Sequence, residues 1–445
     1  MSPENSLSWR ESLSQGNVES VCRWLERGQD SNAMVEGVMQ TPLAIACSAN
    51  IPGRITQALI LAGARIEGDR FHPLVVCAHT GNTEAARELL LQGANPNHSA
   101  DEWQCVLDIA VESGHEGVAK ILLESGASID RPDKQGKTAL MKAVDTGSLK
   151  MVQMLLERGA NPNCKDKRNE FALSIACSGR GGEQEEAIVM ALLEGTRRDL
   201  CNDLGCNALQ LCVGGEFPKA VKHLLDEGQS VHHINKRGAS ILHVAAGREN
   251  TKNLRMILEA GGSVRDANKK GDTALIVATK LGLMDNVNIL IDAKSDINAN
   301  NLVGDTPLLI AATQGLDDIF HALIKRGARL DATSEEGGVL HYAAIGGNEE
   351  IIQWMIERNI SVDQVNKQGR TALHVAAEHN CPEAAIVLLK AGSDIHKTTP
   401  DGLDIFHLGG DDFNMAIRAF LAERQSRILH KNTSGAANST QRRRI

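Results

Sequence analysis

Aromatic residues are scarce in this chain of 445 residues, which contains 4 Trp, 1 Tyr and 7 Phe. A hydrophobic core must therefore be built mainly from Leu, Ile, Val and Ala. No apolar run approaches the roughly 18 residues that a membrane-spanning helix requires. The formal net charge of −9 argues against a dedicated nucleic-acid-binding domain, because such domains usually present a basic face.

A secretory signal and a disulfide framework are also missing. The N-terminal stretch MSPENSLSWRESLSQGN has no basic segment followed by an apolar one. The cysteines are scattered without the close spacing of a disulfide-stapled domain. Together these features predict a protein of the reducing cytoplasm with free thiols. The ten cysteines stand at positions 22, 47, 77, 105, 164, 177, 201, 206, 212 and 381.

A short sequence frame recurs along the chain with a period of about 33 residues. Examples are TPLAIACSAN from position 41, TALMKAVDTG from 138, TPLLIAATQG from 306 and TALHVAAEHN from 371. A second frame, such as LLERGANPN from 155, follows each first one. The first frame starts at 41, 72, 105, 138, 171, 207, 240, 273, 306, 338, 371 and 404.

Each repeat predicts the same local structure. Its first Thr caps a short helix, and a Pro just inside, as at Pro42 and Pro307, stands where a missing N–H costs nothing. A Gly such as Gly114, Gly147 or Gly282 then ends that helix in the left-handed conformation. A second helix with apolar residues at i, i+3 and i+4 follows, and Gly-Ala leads into an extended hairpin rich in Asn and Asp.

This Thr-Pro-Leu-His, Ala-Ala, Gly, Leu-Leu, Gly-Ala frame resembles the ankyrin repeat over residues 5–421, with about thirteen units. The resemblance implies an all-α solenoid of stacked antiparallel helix pairs, with short β-hairpin fingers and a concave face where partners bind. A single unit cannot bury its own apolar face, so stability comes from interfaces between neighbouring units. No stretch remains that is long enough for a separate catalytic domain, so we expect neither an enzyme nor a cofactor.

Departures from the repeat suggest boundaries within the array. Residues 178–186, SGRGGEQEE, lengthen the sixth unit, which predicts either a bend or a tolerated surface insertion. The tail after residue 424 is polar and basic and is expected to be disordered. The predicted regions are 1–36, an N-terminal capping unit; 37–195, repeats 2–6; 196–400, repeats 7–12 after an irregular junction; 401–424, a C-terminal capping unit; and 425–445, the disordered basic tail.

Histidine and cysteine are accounted for by the repeat. His243, His341, His374 and His407 occupy the fourth position of the frame, where the resemblance implies a hydrogen bond between neighbouring units. Cys47, Cys77, Cys177 and Cys212 stand at small inner-helix positions, where a thiol behaves as a slightly larger alanine. A cluster at 201–233 could imitate a zinc site, but its spacings miss the usual pattern, so no metal site is expected. Its members are Cys201, Cys206, Cys212, His232 and His233.

The resemblance places partner binding at the fingertips and at the residues after the Ala pair of the inner helix. In most units a Gly two residues before the frame supplies the positive φ of the fingertip turn. Early units carry Met39, Arg70 and Trp103 in that column, with Phe71 next to Arg70. Met39, Phe71 and Trp103 could form an exposed aromatic and apolar patch on adjacent fingers, or each could fold back under its own finger.

Later fingertips are basic, and the inner-helix column is mixed in charge. These cations could steer an acidic partner, although lysine beside a turn glycine is also ordinary in such repeats. The predicted partner-binding residues, besides Met39, Phe71 and Trp103, are Lys134, Lys137, Lys236, Arg237, Arg248, Lys269, Lys270, Lys280, Lys367, Arg370, Glu378 and His379.

The sequence therefore predicts a non-catalytic protein-binding solenoid: an adaptor, scaffold or inhibitor that occupies the surface of a partner protein. It is expected to be monomeric and away from membranes. A variant of this reading is a bacterial or viral effector directed at host proteins. Two alternatives of other classes are a metal- or nucleotide-dependent enzyme or sensor in the irregular 178–233 region, and nucleic-acid association through the basic fingertips and tail.

Overall fold

The computed structural model describes residues 7–37, 40–48, 51–67, 72–100, 104–179 and 181–441, with side chains up to residue 427. The chain divides into two compact units, Met1–Gln229 and Ser230–Ile445. Both are built from short helices in pairs, so the expected all-α solenoid is confirmed within each unit.

The first unit contains seven helix pairs in the described part of the chain. In chain order they are Trp9–Ser14 and Val18–Glu26; Pro42–Ala46 and Gly53–Leu61; Pro73–Thr80 and Thr83–Leu91; Val106–Glu112 and Glu116–Glu124; Ala139–Asp145 and Leu149–Glu157; Ala172–Ala176 and Glu183–Leu193; and Ala208–Gly214 and Pro218–Asp226.

The second unit continues the pattern with six pairs among its described residues. In chain order they are Ile241–Ala246 and Thr251–Glu259; Ala274–Lys280 and Met284–Asp292; Pro307–Gln314 and Asp317–Lys325; Val339–Ile345 and Glu349–Glu357; Ala372–Glu378 and Pro382–Lys390; and Ile405–Leu408 and Asp411–Gln441.

The core of each unit lies between successive pairs. First helices pack on the first helices of neighbouring pairs, and second helices on second helices. The first helix is almost entirely buried, as in Ala372–Glu378, where every residue from Ala372 to Ala377 is buried. Its alanines allow the close approach that stacking needs. Burial therefore comes from neighbours of about the same sequence, as a repeat array requires.

Helix ends follow the predicted local signals. The Thr306 hydroxyl accepts a hydrogen bond from the Leu309 N–H at 3.3 Å, and Thr41, Thr138, Thr273 and Thr371 cap their helices in the same way. The predicted C-terminal glycines Gly114, Gly147 and Gly282 all have positive φ.

The fingers are tight turns rather than extended strands. Where the chain is described, their pairing consists of isolated antiparallel bridges such as Ala267 with Thr273. In most fingers an Asn or Asp five residues before the frame closes the turn. In one finger the Asn268 Oδ1 atom accepts from the N–H groups of Lys270 at 2.8 Å and Asp272 at 3.1 Å. This local role explains the Asn- and Asp-rich composition of the hairpins.

The C-terminal region differs from expectation in one respect. The helix that begins at Asp411 runs to Gln441, through most of the 425–445 segment for which the sequence predicts disorder. Within the described residues, none of the helices combines the length and apolarity needed to cross a bilayer.

Candidate protein-binding surface

Part of the predicted binding surface cannot be placed. Met39, Phe71 and Trp103 lie outside the described residues, so the aromatic patch on the early fingers stays a prediction. The remaining predicted residues lie on described fingers or in and just after described inner helices, and they fall into two groups.

In the first group, fingertip and inner-helix charges pair with each other across eight residues. Lys137 Nζ lies 2.5 Å from Asp145 Oδ2, and Arg370 Nη1 lies 2.5 Å from Glu378 Oε2. In a third bridge the cation is on the inner helix and the carboxylate is on the finger: Lys280 Nζ lies 2.6 Å from Asp272 Oδ1. The two columns predicted separately as binding positions therefore touch, and their charges partly neutralise each other.

In the second group the charged side chains are exposed. It contains the fingertip residues Lys134, Lys236, Arg237, Lys269, Lys270 and Lys367, and also Arg248 and His379, which follow the ends of their inner helices. His379 Nδ1 also donates to the Val375 carbonyl within its own helix at 3.1 Å. Most of these exposed cations lie on fingertips.

Three consecutive fingers of the second unit are joined by backbone hydrogen bonds at their tips. The Lys269 N–H donates to the Arg237 carbonyl at 3.2 Å, and the Leu302 N–H donates to the Lys270 carbonyl at 3.0 Å. Gly271 makes this approach possible, because a Cβ atom at that position would lie 2.6 Å from Leu302 N. We call these three fingers, residues 235–239, 268–272 and 301–305, the fingertip row.

The fingertip row carries an apolar end that the sequence reading missed. Leu302 is 77% exposed and Val303 is 63% exposed, in a column where neighbouring fingers carry Lys269 and Lys270. The signal was present in the sequence, since NLVGD replaces the polar fingertips NKRGA and NKKGD. The row thus combines clustered cations with two exposed aliphatic side chains.

A buried ionic cluster in the first unit was also missed. Lys142, 5% exposed, lies within the inner helix Ala139–Asp145, and its Nζ atom is 3.4 Å from Asp108 Oδ2. It also lies 3.1 Å from Glu112 Oε1 and 3.2 Å from Asp133 Oδ2. One cation thus holds three carboxylates, two from the preceding inner helix Val106–Glu112 and one from a finger.

In this cluster, burial and the neighbouring charges act in opposite directions on the pKa values of Asp108 and Lys142. Burial raises the pKa of Asp108 even though Lys142 and the Cys105 N–H act to lower it. Burial opposes protonation of Lys142, but its pKa is nevertheless raised, because Asp108, Glu112 and Asp133 surround it. The sequence signal was Asp108 in the fourth frame position, where other units carry His, together with a Lys in the buried fifth position. Such a cluster links neighbouring units rather than presenting charge to a partner.

The predicted scaffold role of histidine is confirmed in the middle of the second unit. His243 Nε2 meets the Asp272 carbonyl of the next finger at 2.8 Å, and His341 and His374 reach the carbonyls of Arg370 and Lys397. His407, in the last pair, instead lies 2.7 Å from Asp404 of its own helix. Burial lowers the pKa of the first three histidines, so they are neutral links between units.

The predicted core cysteines are buried. Cys47, Cys77, Cys177 and Cys212 are all among the least exposed residues. Burial, helped by the adjacent Cys77 thiol, raises the pKa of Cys47 well above its ordinary value. Cys177 is affected in the same way by burial and Cys212. The Cys47 and Cys177 thiols are therefore poor nucleophiles and poor metal ligands, because both roles require the thiolate.

The irregular insertion shapes a shallow cleft in the first unit. The lengthened helix Glu183–Leu193 anchors the next pair through Glu186, whose Oε1 atom accepts from the Lys219 N–H at 2.7 Å. An open cleft of about 240 Å³ lies beside it, lined by Asp145, Gly147, Ser178, Gly179 and Glu185 among others. Its described lining contains neither His nor Cys.

A comparison with known protein families identifies the repeats and the residues that they cover. A family model for ankyrin repeats in three copies matches residues 74–166, 173–268, 214–301, 260–334 and 308–399. Among solved structures, the human ASB11 ankyrin repeat domain is 21% identical, with a TM-score of 0.44; the match covers 48% of this chain and 98% of that one.

Curated relatives match over short segments. Mouse synphilin-1 is 31% identical over 72 residues, which is 15% of this chain and 8% of that protein. Chicken nuclear factor NF-kappa-B p105 subunit is 32% identical over 87 residues, 19% of this chain and 9% of that protein. Human protein phosphatase 1 regulatory subunit 27 is 36% identical over 63 residues, 14% of this chain and 41% of that protein. The matches thus span less than half of each of these relatives. Because the ankyrin model covers well over half of the chain, the protein belongs to the ankyrin-repeat family.

Proposed function

We propose that this protein is a non-catalytic adaptor, scaffold or inhibitor that binds a partner protein through its fingertips and inner helices. The ankyrin-repeat fold is generally a non-catalytic module for protein–protein interaction. One relative is named as a regulatory subunit of a phosphatase, which is consistent with a regulator that acts by binding. The expected cytoplasmic location and monomeric state belong to the same proposal.

The observation that carries the proposal is the fingertip row. Arg237, Lys269 and Lys270 are exposed cations on two adjacent fingers, and Lys236 stands beside Arg237. Leu302 and Val303 end the row with the two largest exposures among the fingertip aliphatic side chains described. Backbone hydrogen bonds hold the three tips side by side, so a partner meets a preformed surface.

This composition favours one kind of partner. Clustered cations on a chain whose net charge is −9 speed and orient the approach of an acidic protein surface. The apolar pair can then be desolvated against an apolar side chain of the partner, and such contacts near the centre of an interface dominate affinity. We therefore propose an acidic protein segment with an exposed aliphatic or aromatic anchor. The patch of Met39, Phe71 and Trp103 is a second proposed contact on the early fingers.

Affinity capture with matched variants tests the proposal. The doubly substituted Leu302→Ser, Val303→Ser protein should lose the partners that wild type recovers, and Lys269→Glu with Lys270→Glu should lose them most strongly at low salt. Leu91→Ser is the matched control, because Leu91 is an aliphatic side chain of similar exposure, 70%, that belongs to the helix Thr83–Leu91 and not to a fingertip.

The outcomes separate cleanly. Loss with the fingertip variants and retention with Leu91→Ser supports the row as the binding surface. Equal recovery by wild type and both fingertip variants would show that the row is not used. A parallel capture with Phe71→Ala plus Trp103→Ala asks the same question of the early patch.

A further inference from the structure

Two residues in the first unit break the repeat at positions whose structural task is known. Glu67 stands where Asp133 and Asn268 close their fingers with a short side chain. His72 stands where Thr138 caps its inner helix, yet His72 makes no side-chain cap hydrogen bond to Pro73–Thr80. A helix that lacks a side-chain cap is less stable than a capped one. Both substitutions therefore weaken the scaffold locally unless they serve another purpose.

The ring of His72 is not used as the scaffold histidines are. His243 engages both ring nitrogens, Nδ1 with the Ser240 N–H and Nε2 with the Asp272 carbonyl. His72 is also buried, but its Nδ1 atom has no hydrogen-bond partner among the described residues. Its Nε2 atom points instead to the carboxylate of Glu67 at 3.2 Å.

A second histidine joins this pair from the next finger. The His98 ring stacks on the His72 ring, with centroids 3.4 Å apart and planes 14° from parallel. His98 Nδ1 lies 4.0 Å from the same Glu67 oxygen. Across the described part of the chain, Glu67, His72 and His98 form the one group of three or more His, Cys, Asp or Glu side chains whose ligand atoms all lie within 4.8 Å of one another.

These separations are close to those of a metal site. Zinc bonds of about 2.0–2.2 Å in tetrahedral geometry place ligand atoms roughly 3.3–3.5 Å apart. His72 Nε2 and Glu67 Oε2, 3.2 Å apart, are already near that separation. His98 Nδ1, 4.0 Å from the same oxygen, must come closer, and the His98 ring must turn out of the stack. The His98 side chain is 26% exposed and that of Glu67 is 61% exposed, so both can adjust and solvent can supply a fourth ligand.

We propose that Glu67, His72 and His98 bind a divalent transition-metal ion of the zinc type, which links two neighbouring fingers of the first unit. Two imidazoles and one carboxylate suit Zn²⁺, Co²⁺, Ni²⁺ or Cu²⁺, whereas Mg²⁺ and Ca²⁺ prefer oxygen ligands alone. The sequence predicted no metal site, and these three residues were not among its candidates. Their separations of five and twenty-six positions fit no ligand motif. This proposal is independent of the proposed partner-binding function.

Titration of the full-length, EDTA-treated protein with Zn²⁺ alone, under reducing conditions, tests the site. Wild type should bind one equivalent of Zn²⁺. Glu67→Gln and His98→Ala should each lower the affinity for this Zn²⁺ at least about ten-fold, because loss even of an outer-shell partner lowers metal affinity about 10–100-fold. His396→Ala is the matched control, since His396 is an exposed finger histidine of the second unit. Zn²⁺ should also raise the Tm of wild type and of the control more than that of the two site variants.

Any Zn²⁺ held by the cysteines is common to all four proteins and cancels in the comparison. Equal affinity and stoichiometry in wild type, Glu67→Gln and His98→Ala would overturn the proposal, as would the absence of Zn²⁺ binding to wild type. Circular dichroism of the metal-free proteins verifies folding. Should His98→Ala unfold, Glu67→Gln decides alone, because the Glu67 side chain is mostly exposed.

Discussion

Replacement of Lys142 by Met should destabilise the first unit through one buried carboxylate. Without Lys142, Glu112 keeps its hydrogen bond from Gln104 at 2.8 Å, and Asp133 keeps the N–H groups of Gln135 and Lys137. Asp108 has no comparable substitute. It is 1% exposed, its Oδ2 atom retains one N–H from Cys105 at 3.2 Å, and its Oδ1 atom has no partner among the described residues.

The size of this effect has an upper limit. A buried ion pair that loses one partner typically costs 3–5 kcal/mol. Asp108 can escape part of that cost by taking up a proton. At pH 7, protonating a carboxyl whose pKa in the unfolded chain is about 3.9 costs about 4 kcal/mol, at about 1.36 kcal/mol per pH unit. We therefore expect a loss of about 3–4 kcal/mol in the free energy of unfolding at pH 7.

The pH dependence follows from the same reasoning. A carboxyl whose pKa is raised in the folded state stabilises the protein at low pH and loses that contribution as pH rises. At pH 5 the cost of protonating Asp108 falls to about 1.5 kcal/mol. The deficit of Lys142→Met relative to wild type should thus shrink by about 2–3 kcal/mol between pH 7 and pH 5.

Urea unfolding followed by circular dichroism measures the deficit. Lys134→Met is the control, because Lys134 is exposed on the neighbouring finger, and it should cost less than about 0.5 kcal/mol. Adding Asp108→Asn to Lys142→Met should recover most of the loss, because an uncharged amide can be buried at lower cost. A deficit below about 1 kcal/mol at pH 7, or an equal deficit at pH 5, would refute the assignment of an unpaired buried charge to Asp108.

Three further outcomes are expected, each from unfolding measurements. Gly271→Ala should lower the free energy of unfolding by at least about 1 kcal/mol more than Gly402→Ala does. Both glycines have similar positive φ values, but of the two only Gly271 meets a neighbouring backbone atom. Equal losses would exclude the close approach as the cause. Asn286→Ala should lower the free energy of unfolding by about 2 kcal/mol, because the Asn286 amide donates to the carbonyls of Ala246 and Arg248 in the preceding pair. The control substitution Asp285→Ala, at an exposed neighbour, should have little effect. The stability of the folded protein should fall as pH drops below about 6.5. Buried histidines whose pKa is lowered in the folded state take up protons more readily in the unfolded chain. A Tm that stays constant between pH 7.5 and 5.5 would contradict this. Those histidines are His243, His341 and His374.

Much of the architecture could be predicted because its signals are local. A Thr that caps a helix, such as Thr306, and a glycine that needs positive φ, such as Gly271, act within three or four residues of themselves. The repeat period supplied the rest, since each unit must stack on copies of itself to bury its first helix. The same logic correctly assigned His243 and the buried cysteines to the scaffold.

Predictions about the surface were less complete, because charge pairing acts through space. Lys137 and Arg370 read as available cations, yet their side chains lie against carboxylates eight residues away. Leu302 and Val303 were overlooked, because the repeat pattern draws attention to polar fingertips and gives no measure of exposure.

The sequence by itself determined the ankyrin-type helix pairs, their caps and turns, and which columns face outward, since each depends on residues close together in the chain. Which side chains of neighbouring units meet depends on the three-dimensional packing. Lys142 reaches Asp108 from 34 positions away, and His98 stacks on His72 from 26 positions away. Such contacts depend on how neighbouring units stack. The stacking sets the separation of the side chains to within a few ångströms, and sequence spacing does not specify that separation.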